Sequence, residues 1–265
     1  VNNMDAKQTR IVAVANEKGG VGKTVTVINL AAALSRLEKT VLVVDMDPQA
    51  NATRGLGFNP DDDGLSVYNL ISDPQKVKAT TVVRTTPWHG LDLIPAHVDL
   101  SGAEVELVDR AGRENSLKTA MDSLNGRYDF ILVDTPPSLS LLTVNVMAYA
   151  REVIIPCQTH PYAYVALSEL LDTIDAVKTQ INPDLKITGI VPTFVDLRTR
   201  VSNLILEKLN EDENTRDLLF KTMIRTNTTI ADSAVAGKPV VFYRAGAYGT
   251  IDYSDLAEEL LERND

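Results

Sequence analysis

Ile11-Val12-Ala13-Val14-Ala15-Asn16-Glu17-Lys18-Gly19-Gly20-Val21-Gly22-Lys23-Thr24 is the stretch on which the reading of this chain turns. Its first five residues form an apolar, β-branched run, the pattern of a strand buried on both faces. A glycine-rich turn follows, then Lys-Thr, then a helical pattern over Thr24–Leu37. That succession is what a phosphate cradle requires. Glycines let successive backbone N–H groups converge on phosphate oxygens, and the helix N-terminus adds positive potential. Lys23 is then placed to reach the β- and γ-phosphates, and the Thr24 hydroxyl to ligate Mg²⁺. A turn that only links a strand to a helix has no use for Lys-Thr in this register.

Outward from this unit the same alternation continues. Further apolar runs lie at Val41–Val44, Leu91–Pro95, Phe130–Val133, Val153–Pro156 and Ile187–Pro192. Helical patterns fall at Val105–Leu124, Leu141–Ala150, Ala163–Gln180, Val201–Asn210 and Tyr253–Arg263. Strand and helix alternating over the whole length predicts an α/β fold: one doubly wound, mostly parallel sheet with helices on both faces. With no repeat, low-complexity tract or linker, residues 1–265 read as a single domain. Gly55–Pro87 is the least regular stretch, and Asn59-Pro60-Asp61-Asp62-Asp63-Gly64 within it predicts a surface turn.

Composition narrows the class. The chain has 265 residues, 44% hydrophobic and 23% charged, enough for a sizeable core and unlike a disordered chain. No run approaches a membrane span, and no signal-peptide core follows the polar start, so a soluble cytoplasmic protein is expected. Cys157 is the one cysteine, which excludes an intramolecular disulfide and a multi-thiolate metal site. A net charge of −10 argues against wrapping nucleic acid over the whole surface while leaving room for a local basic patch.

The phosphate loop carries a second lysine, Lys18, giving Lys-Gly-Gly-Val-Gly-Lys-Thr over residues 18–24. This resembles the deviant Walker A motif of the ParA/MinD group of P-loop ATPases. Asp45-Met46-Asp47-Pro48-Gln49-Ala50-Asn51-Ala52-Thr53 resembles that group's D-x-D-P-Q-x-N-x-T segment, and Ile131-Leu132-Val133-Asp134 its Walker B strand. The resemblance implies ATP and Mg²⁺ as cofactors. It implies phosphate contacts from Lys18, Gly19, Gly20, Val21, Gly22, Lys23 and Thr24, with Val25 beside them. It assigns the metal shell to Thr24, Asp45 and Asp134, catalysis to Lys18, Lys23 and Asp47, and the placing of the attacking water to Asp47. Lys18 is expected to point across a nucleotide-sandwich dimer to the partner's phosphates. Ile190–Ser202 is similar to the family's strand and adenine-side loop, and Ile224–Pro239 to its I-P-R-N-x-x-L-x-E-A-P-S-x-G-K-P stretch. These imply adenine-side contacts from Phe194, Asp196, Arg225 and Thr226. The second stretch departs from the family: Arg225-Thr226 stands for Pro-Arg, Asp232 for Glu, and Thr229 for an arginine that the family often uses on DNA.

Within the group, the attachments of several relatives are missing here. The acid-rich tail from Asp252 carries one Arg and would be repelled by anionic lipid, unlike a MinD-type membrane helix. One cysteine does not suit an iron–sulfur relative, and the tyrosine-rich tail of the kinase relatives is absent. Only about ten residues precede the first strand, so no operator-reading domain is expected. What remains is a ParA/Soj-like ATPase. That implies an ATP-dependent homodimer that binds DNA without sequence preference, associates with the nucleoid, and segregates plasmid or chromosome DNA with a ParB-like partner. Residues 186–244 carry nine Lys/Arg against seven Asp/Glu, and the DNA candidates there are Arg198, Arg200, Lys221 and Arg225, then Lys238 and Arg244. The alternatives are a metabolic enzyme resembling dethiobiotin synthetase, which would need neither Lys18 nor the D-P-Q segment, and a positioning ATPase for a non-DNA cargo with its own adaptor. Cys157, His160 and Trp88 read as structural, and Leu167, Leu170, Leu171 and Ile174 as core.

Overall fold

The computed structural model describes residues 8–62 and 64–263. Most of the polar start (residues 1–7), Asp63 of the predicted surface turn, and the last two residues of the acidic tail lie outside them. Seven strands form one sheet: β1 (Arg10–Val14), β2 (Val41–Asp45), β3 (Arg84–Thr85), β4 (Leu91–Ile94), β5 (Phe130–Asp134), β6 (Glu152–Gln158) and β7 (Lys186–Thr193). Their order is β3-β4-β2-β5-β1-β6-β7. Every pairing is parallel except the edge pair β3–β4. The helices are α1 (Lys23–Arg36), α2 (Asn51–Gly55), α3 (Val67–Ser72), α4 (Ala79–Val82), α5 (Leu100–Leu107) and α6 (Ser116–Met121). They continue with α7 (Leu141–Tyr149), α8 (Pro161–Gln180), α9 (Arg200–Glu211), α10 (Thr228–Val235), α11 (Val240–Tyr243) and α12 (Tyr248–Glu262).

The unbroken apolar runs are explained by two cores, one on each face of the sheet. Along β2, Leu42 and Val44 enter the core under α3, α5 and α7. Val41 and Val43 enter the opposite core under α1 and α12. Side chains alternate across a strand, so a strand covered on both faces is apolar at every position. Burying a Val or Leu contributes roughly 1.5–3 kcal/mol, which is why Val41–Val44 of β2 are all buried.

Two expectations are corrected. Val105–Leu124 is not one helix: α5 ends at Leu107, and a short 3₁₀ turn at Arg113–Asn115 leads into α6. Gly112, just before the 3₁₀ turn, lies in the left-handed region at φ 72°, a conformation that no continuing helix can pass through and that favours glycine. The stretch Gly55–Pro87 is more regular than its composition suggested. It contains α3, closed by a reciprocal capping box between Ser66 and Asn69, then α4 and β3. Its sharp turn stands as predicted, with Asn59 Oδ1 accepting from the Asp61 N–H. Leu167, Leu170 and Ile174 are buried on the inner face of α8, with Leu171 packed against them. Trp88 stacks on Phe242 at 5.5 Å.

Candidate active site

The chain runs from β1 to β2 and β4 on one side, returns to fill the gap between β2 and β1 with β5, and then crosses to β6 and β7 on the other side of β1. Such a reversal of strand order opens a crevice at the carboxyl ends of the central strands, where open α/β sheets bind ligands. The loop from Ala15 to Gly22 crosses this crevice. Asn16 pins it: its side-chain amide donates to the Pro156 carbonyl on β6 at 2.8 Å, and its Oδ1 accepts from the Lys18 N–H at 2.9 Å. Gly20 and Gly22 take φ of 76° and 94°, turning the chain into α1 where a side chain would strain it. Among its first residues α1 has no side-chain cap and no acid. Its first N–H groups and the positive end of its dipole therefore face the loop uncompensated.

Lys23 is buried, and its Nζ donates to the Lys18 carbonyl at 3.1 Å. Burial lowers its pKa, opposed by the negative charges of Asp134 and Asp47. The three carboxylates converge because β2 and β5 are parallel neighbours, with Asp45 opposite Asp134. Asp45 is fully buried and well held: Oδ2 accepts from the Thr53 N–H at 2.8 Å and the Thr53 hydroxyl at 2.7 Å, and Oδ1 from the Asp47 N–H at 3.2 Å. Burial still pushes its carboxyl up to about 6. Asp134 is fully buried, and among the described residues neither oxygen is in full hydrogen-bond geometry, although the Thr24 hydroxyl lies close enough to favour its charged form. Burial first, and then repulsion from Asp45, hold its carboxyl well above the ordinary aspartate range. Asp47 accepts from the Gln49 N–H at 2.9 Å, and burial raises its pKa against the pull of Lys23.

A buried carboxylate with two idle oxygens is costly unless a cation or proton joins it. Beside Lys23 and the Thr24 hydroxyl it makes a donor set that fits Mg²⁺, which takes one or two protein oxygens and completes its shell with phosphates and water. Among the described residues no three acids, histidines or cysteines gather into an all-protein cage, in keeping with that mode.

A cleft of about 610 Å³ opens in front of the loop, lined by Gly19, Gly20, Lys23, Thr24, Asp47 and Pro137, with Gln49, Asn51 and Arg54 on one wall. It adjoins an apolar pocket of about 160 Å³ walled by Val25, Phe194, Ile224, Ile230 and Tyr253. Phe194 adopts a left-handed φ of 51°, which brings its ring against Gly22: a Cβ there would lie 3.4 Å from the ring. Phosphate loop, Val25, Phe194 and Arg225 thus come together as expected. Asp196 and Thr226 line neither cavity. Asp196 is taken up by Arg198, and Thr226 is exposed, its N–H bonded to the Val195 carbonyl at 3.0 Å. Gln49 and Asn51 belong to the quoted D-P-Q segment. Ile230, Ala234 and Tyr253 carried no chemical signal, because apolar pocket walls look like core in a sequence.

The basic candidates divide into two sets. Arg198 grips Asp196 through two bonds of 2.8 Å, holding that carboxyl down to about 2. Arg225 forms an ion pair with the buried Asp252 and lies 4.3 Å from the centre of the Tyr248 ring. Arg200, Lys221, Lys238 and Arg244 are exposed and make no ion pair among the described residues. Cys157 is buried, with its thiol pushed up to about 12, so it is no nucleophile at neutral pH. His160 precedes α8, tilted against Tyr162.

A family model described as an AAA domain matches residues 9–187. The chain is 41% identical to the sporulation initiation inhibitor protein Soj of Bacillus subtilis over 251 residues, covering 95% of this chain and 98% of that one. It is 40% identical to the chromosome partitioning protein ParA of Myxococcus xanthus, covering 96% and 89%. Among solved structures, cobyrinic acid a,c-diamide synthase from Mycobacterium smegmatis, with a bound ATP analogue and magnesium, superposes with a TM-score of 0.82. The identity is 37%, over 96% of this chain and 94% of that one. The cell division ATPase MinD of Pyrococcus furiosus shares the fold at 22% identity and a TM-score of 0.79, over 96% and 98%. Phosphate loop, paired carboxylates and near-full-length similarity lead to one conclusion: the chain belongs to the ParA/Soj family of P-loop partitioning ATPases.

Proposed function

We propose that this chain is a magnesium-dependent ATPase that works as an ATP-switched homodimer, holding DNA without sequence preference and moving a DNA cargo with a ParB-like partner. The observation that carries the reading is Asp134, a buried carboxylate with both oxygens idle behind the Lys23–Thr24 corner of an open cleft. Bound Mg²⁺ would screen the charge on the β- and γ-phosphates, and Thr24, Asp134 and the Asp45 side would hold it. Lys23 exchanges the Lys18 carbonyl for phosphate oxygens, and the loop N–H groups at residues 19–24 take the remaining ones. Asp47 orients a water toward the γ-phosphorus. Among the described residues it is the carboxylate that lines the cleft, with no histidine beside it, so unaided hydrolysis is slow and a partner accelerates it. The adenine rests in the apolar pocket against Phe194 and Val25, with Arg225 at its edge. Asp196 and Thr226 contribute by shaping the loops around it.

Lys18 is half-buried and makes no ion pair among the described residues, so its charge is available to a second subunit's phosphates. Val235, 92% exposed, and Phe194, 43% exposed, wall the same cleft. Apolar side chains at a cleft mouth favour closure by a second copy in a two-fold arrangement. The DNA surface rests on Arg200 and Lys221, whose charges are unpaired. Arg198 and Arg225 would have to release Asp196 and Asp252 before they could hold a phosphate. The protein then acts in the cytoplasm, on the nucleoid when loaded with ATP. Asp47→Ala loaded with ATP tests the reading: light scattering should give a dimer and gel shifts a salt-sensitive complex with any duplex. A monomer that binds no duplex refutes it and leaves the metabolic-enzyme alternative. A dimer without DNA binding leaves a positioning ATPase for another cargo.

A further inference from the structure

We infer that Thr53 is a positioning residue for the metal shell: its hydroxyl fixes which oxygen of Asp45 keeps acceptor capacity for the metal. The inference rests on the proposed function. Thr53 lies in α2, eight residues beyond Asp45, and is fully buried. Its Oγ1 has two partners, Asp45 Oδ2 at 2.7 Å and the Ala96 N–H at 3.0 Å. The second partner settles the direction of the first. A backbone N–H can only donate, so it occupies a lone pair of the hydroxyl and leaves the hydroxyl proton for Asp45. The Thr53 N–H adds a second donor to the same oxygen at 2.8 Å. Oδ2 is therefore saturated from the protein side. Oδ1 receives a single longer bond of 3.2 Å from the Asp47 N–H and retains acceptor capacity.

The consequence is a division of labour between neighbouring acids. Asp134 keeps both oxygens idle, whereas Asp45 is clamped so that Oδ2 is filled by Thr53 and Oδ1, with its single longer bond, keeps acceptor capacity for the metal shell. The clamp also ties together three segments that reach the site separately: the end of β2, the middle of α2, and the residue two places beyond β4. Ala96 brings its N–H from 43 residues away in sequence, so the aim of Asp45 depends on the sheet being assembled. Partners that orient a ligating carboxylate typically change metal affinity about 10–100-fold when removed.

The test compares wild type, Thr53→Val and Thr53→Ser by calorimetric ADP binding, once with excess magnesium and once with EDTA. The ratio of the two affinities reads the metal's contribution separately from the phosphate loop. Thr53→Val keeps the shape and removes the hydroxyl. Its magnesium enhancement should fall about tenfold with the EDTA affinity unchanged, and Thr53→Ser should restore it. An unchanged enhancement in Thr53→Val overturns the inference, as does a Thr53→Ser protein that behaves like Thr53→Val. If Thr53→Val does not fold, Thr53→Ala is read in the same way. If wild type itself shows no magnesium enhancement, the nucleotide reading fails and the inference with it. An enhancement shared equally by all variants removes the inference alone.

Discussion

Replacing Asp134 with asparagine should make the free protein more stable while destroying its response to magnesium. Asp134 is fully buried, opposite Asp45 on the adjacent strand, and among the described residues neither of its oxygens is in full hydrogen-bond geometry. An ionised carboxylate in that setting costs several kcal/mol. Asparagine removes the charge and retains the shape, but its amide also lacks partners, at a cost of about 1–3 kcal/mol. The balance is a gain of about 2 kcal/mol, or roughly 4–8 °C in Tm for a chain of this size. The sign of the pH dependence follows from the raised pKa. Between the ordinary aspartate value of 3.8 and the raised one, the folded state binds more protons than the unfolded state. Wild-type stability therefore falls as pH rises through that window. The gain in Asp134→Asn should be absent near about pH 4 and fully present at alkaline pH. Ligand reverses the ranking. Mg·ADP at about 100 times its Kd stabilises a binding-competent protein by about 2.7 kcal/mol, and the variant should lose the magnesium-dependent share. Thermal unfolding of both proteins, at two pH values, with and without Mg·ADP, gives every term. An Asp134→Asn protein that melts below wild type in ligand-free alkaline buffer would refute the claim that desolvation of this carboxylate outweighs its attraction to Lys23 and Thr24.

Lys23→Ala should weaken ATP binding by about 10–100-fold, the range for losing hydrogen bonds to a charged group; wild-type affinity by calorimetry would remove Lys23 from the phosphate site. Arg200→Glu should weaken duplex binding by ATP-loaded Asp47→Ala more than Arg198→Glu does, because Arg198 is already neutralised by Asp196. The reverse order in a low-salt gel-shift series would mean that the Arg198–Asp196 pair opens on DNA.

The central sheet and the phosphate site were legible because their signals are local. A strand covered on both faces is apolar at every residue, so Val41–Val44 and Phe130–Val133 needed no partner to be recognised. The cradle at Glu17–Thr24 depends on consecutive residues, where glycine supplies φ and Lys-Thr supplies charge and hydroxyl. Position relative to a strand end also carried Asp45, Asp47 and Asp134 to one place, since parallel neighbours put their carboxyl ends side by side. Local signals failed where backbone geometry overrode apolar spacing. Val105–Leu124 keeps helical spacing, yet Gly112 turns left-handed and divides it. The short helices α3 and α4 lie in a stretch rich in turn residues, and their stability comes from packing against α5, α6 and each other within the core.

Tertiary structure alone decided how the charges are used. Arg198 and Arg225 carry the same formal charge as Arg200 and Lys221, but Asp196 and Asp252 compensate them, and Asp252 is 27 residues from Arg225 in sequence. The walls of the apolar pocket come from α1, β7, α10 and α12 with their flanking loops, so no window of sequence contains them. Asp45 and Asp134 are equally buried and share a register, yet the Thr53 N–H, the Thr53 hydroxyl and the Asp47 N–H satisfy Asp45, while Asp134 has no such partners among the described residues. A sequence shows which residues can hold a charge or a proton. Which of them already do depends on desolvation and on partners that only the assembled fold brings within hydrogen-bonding distance.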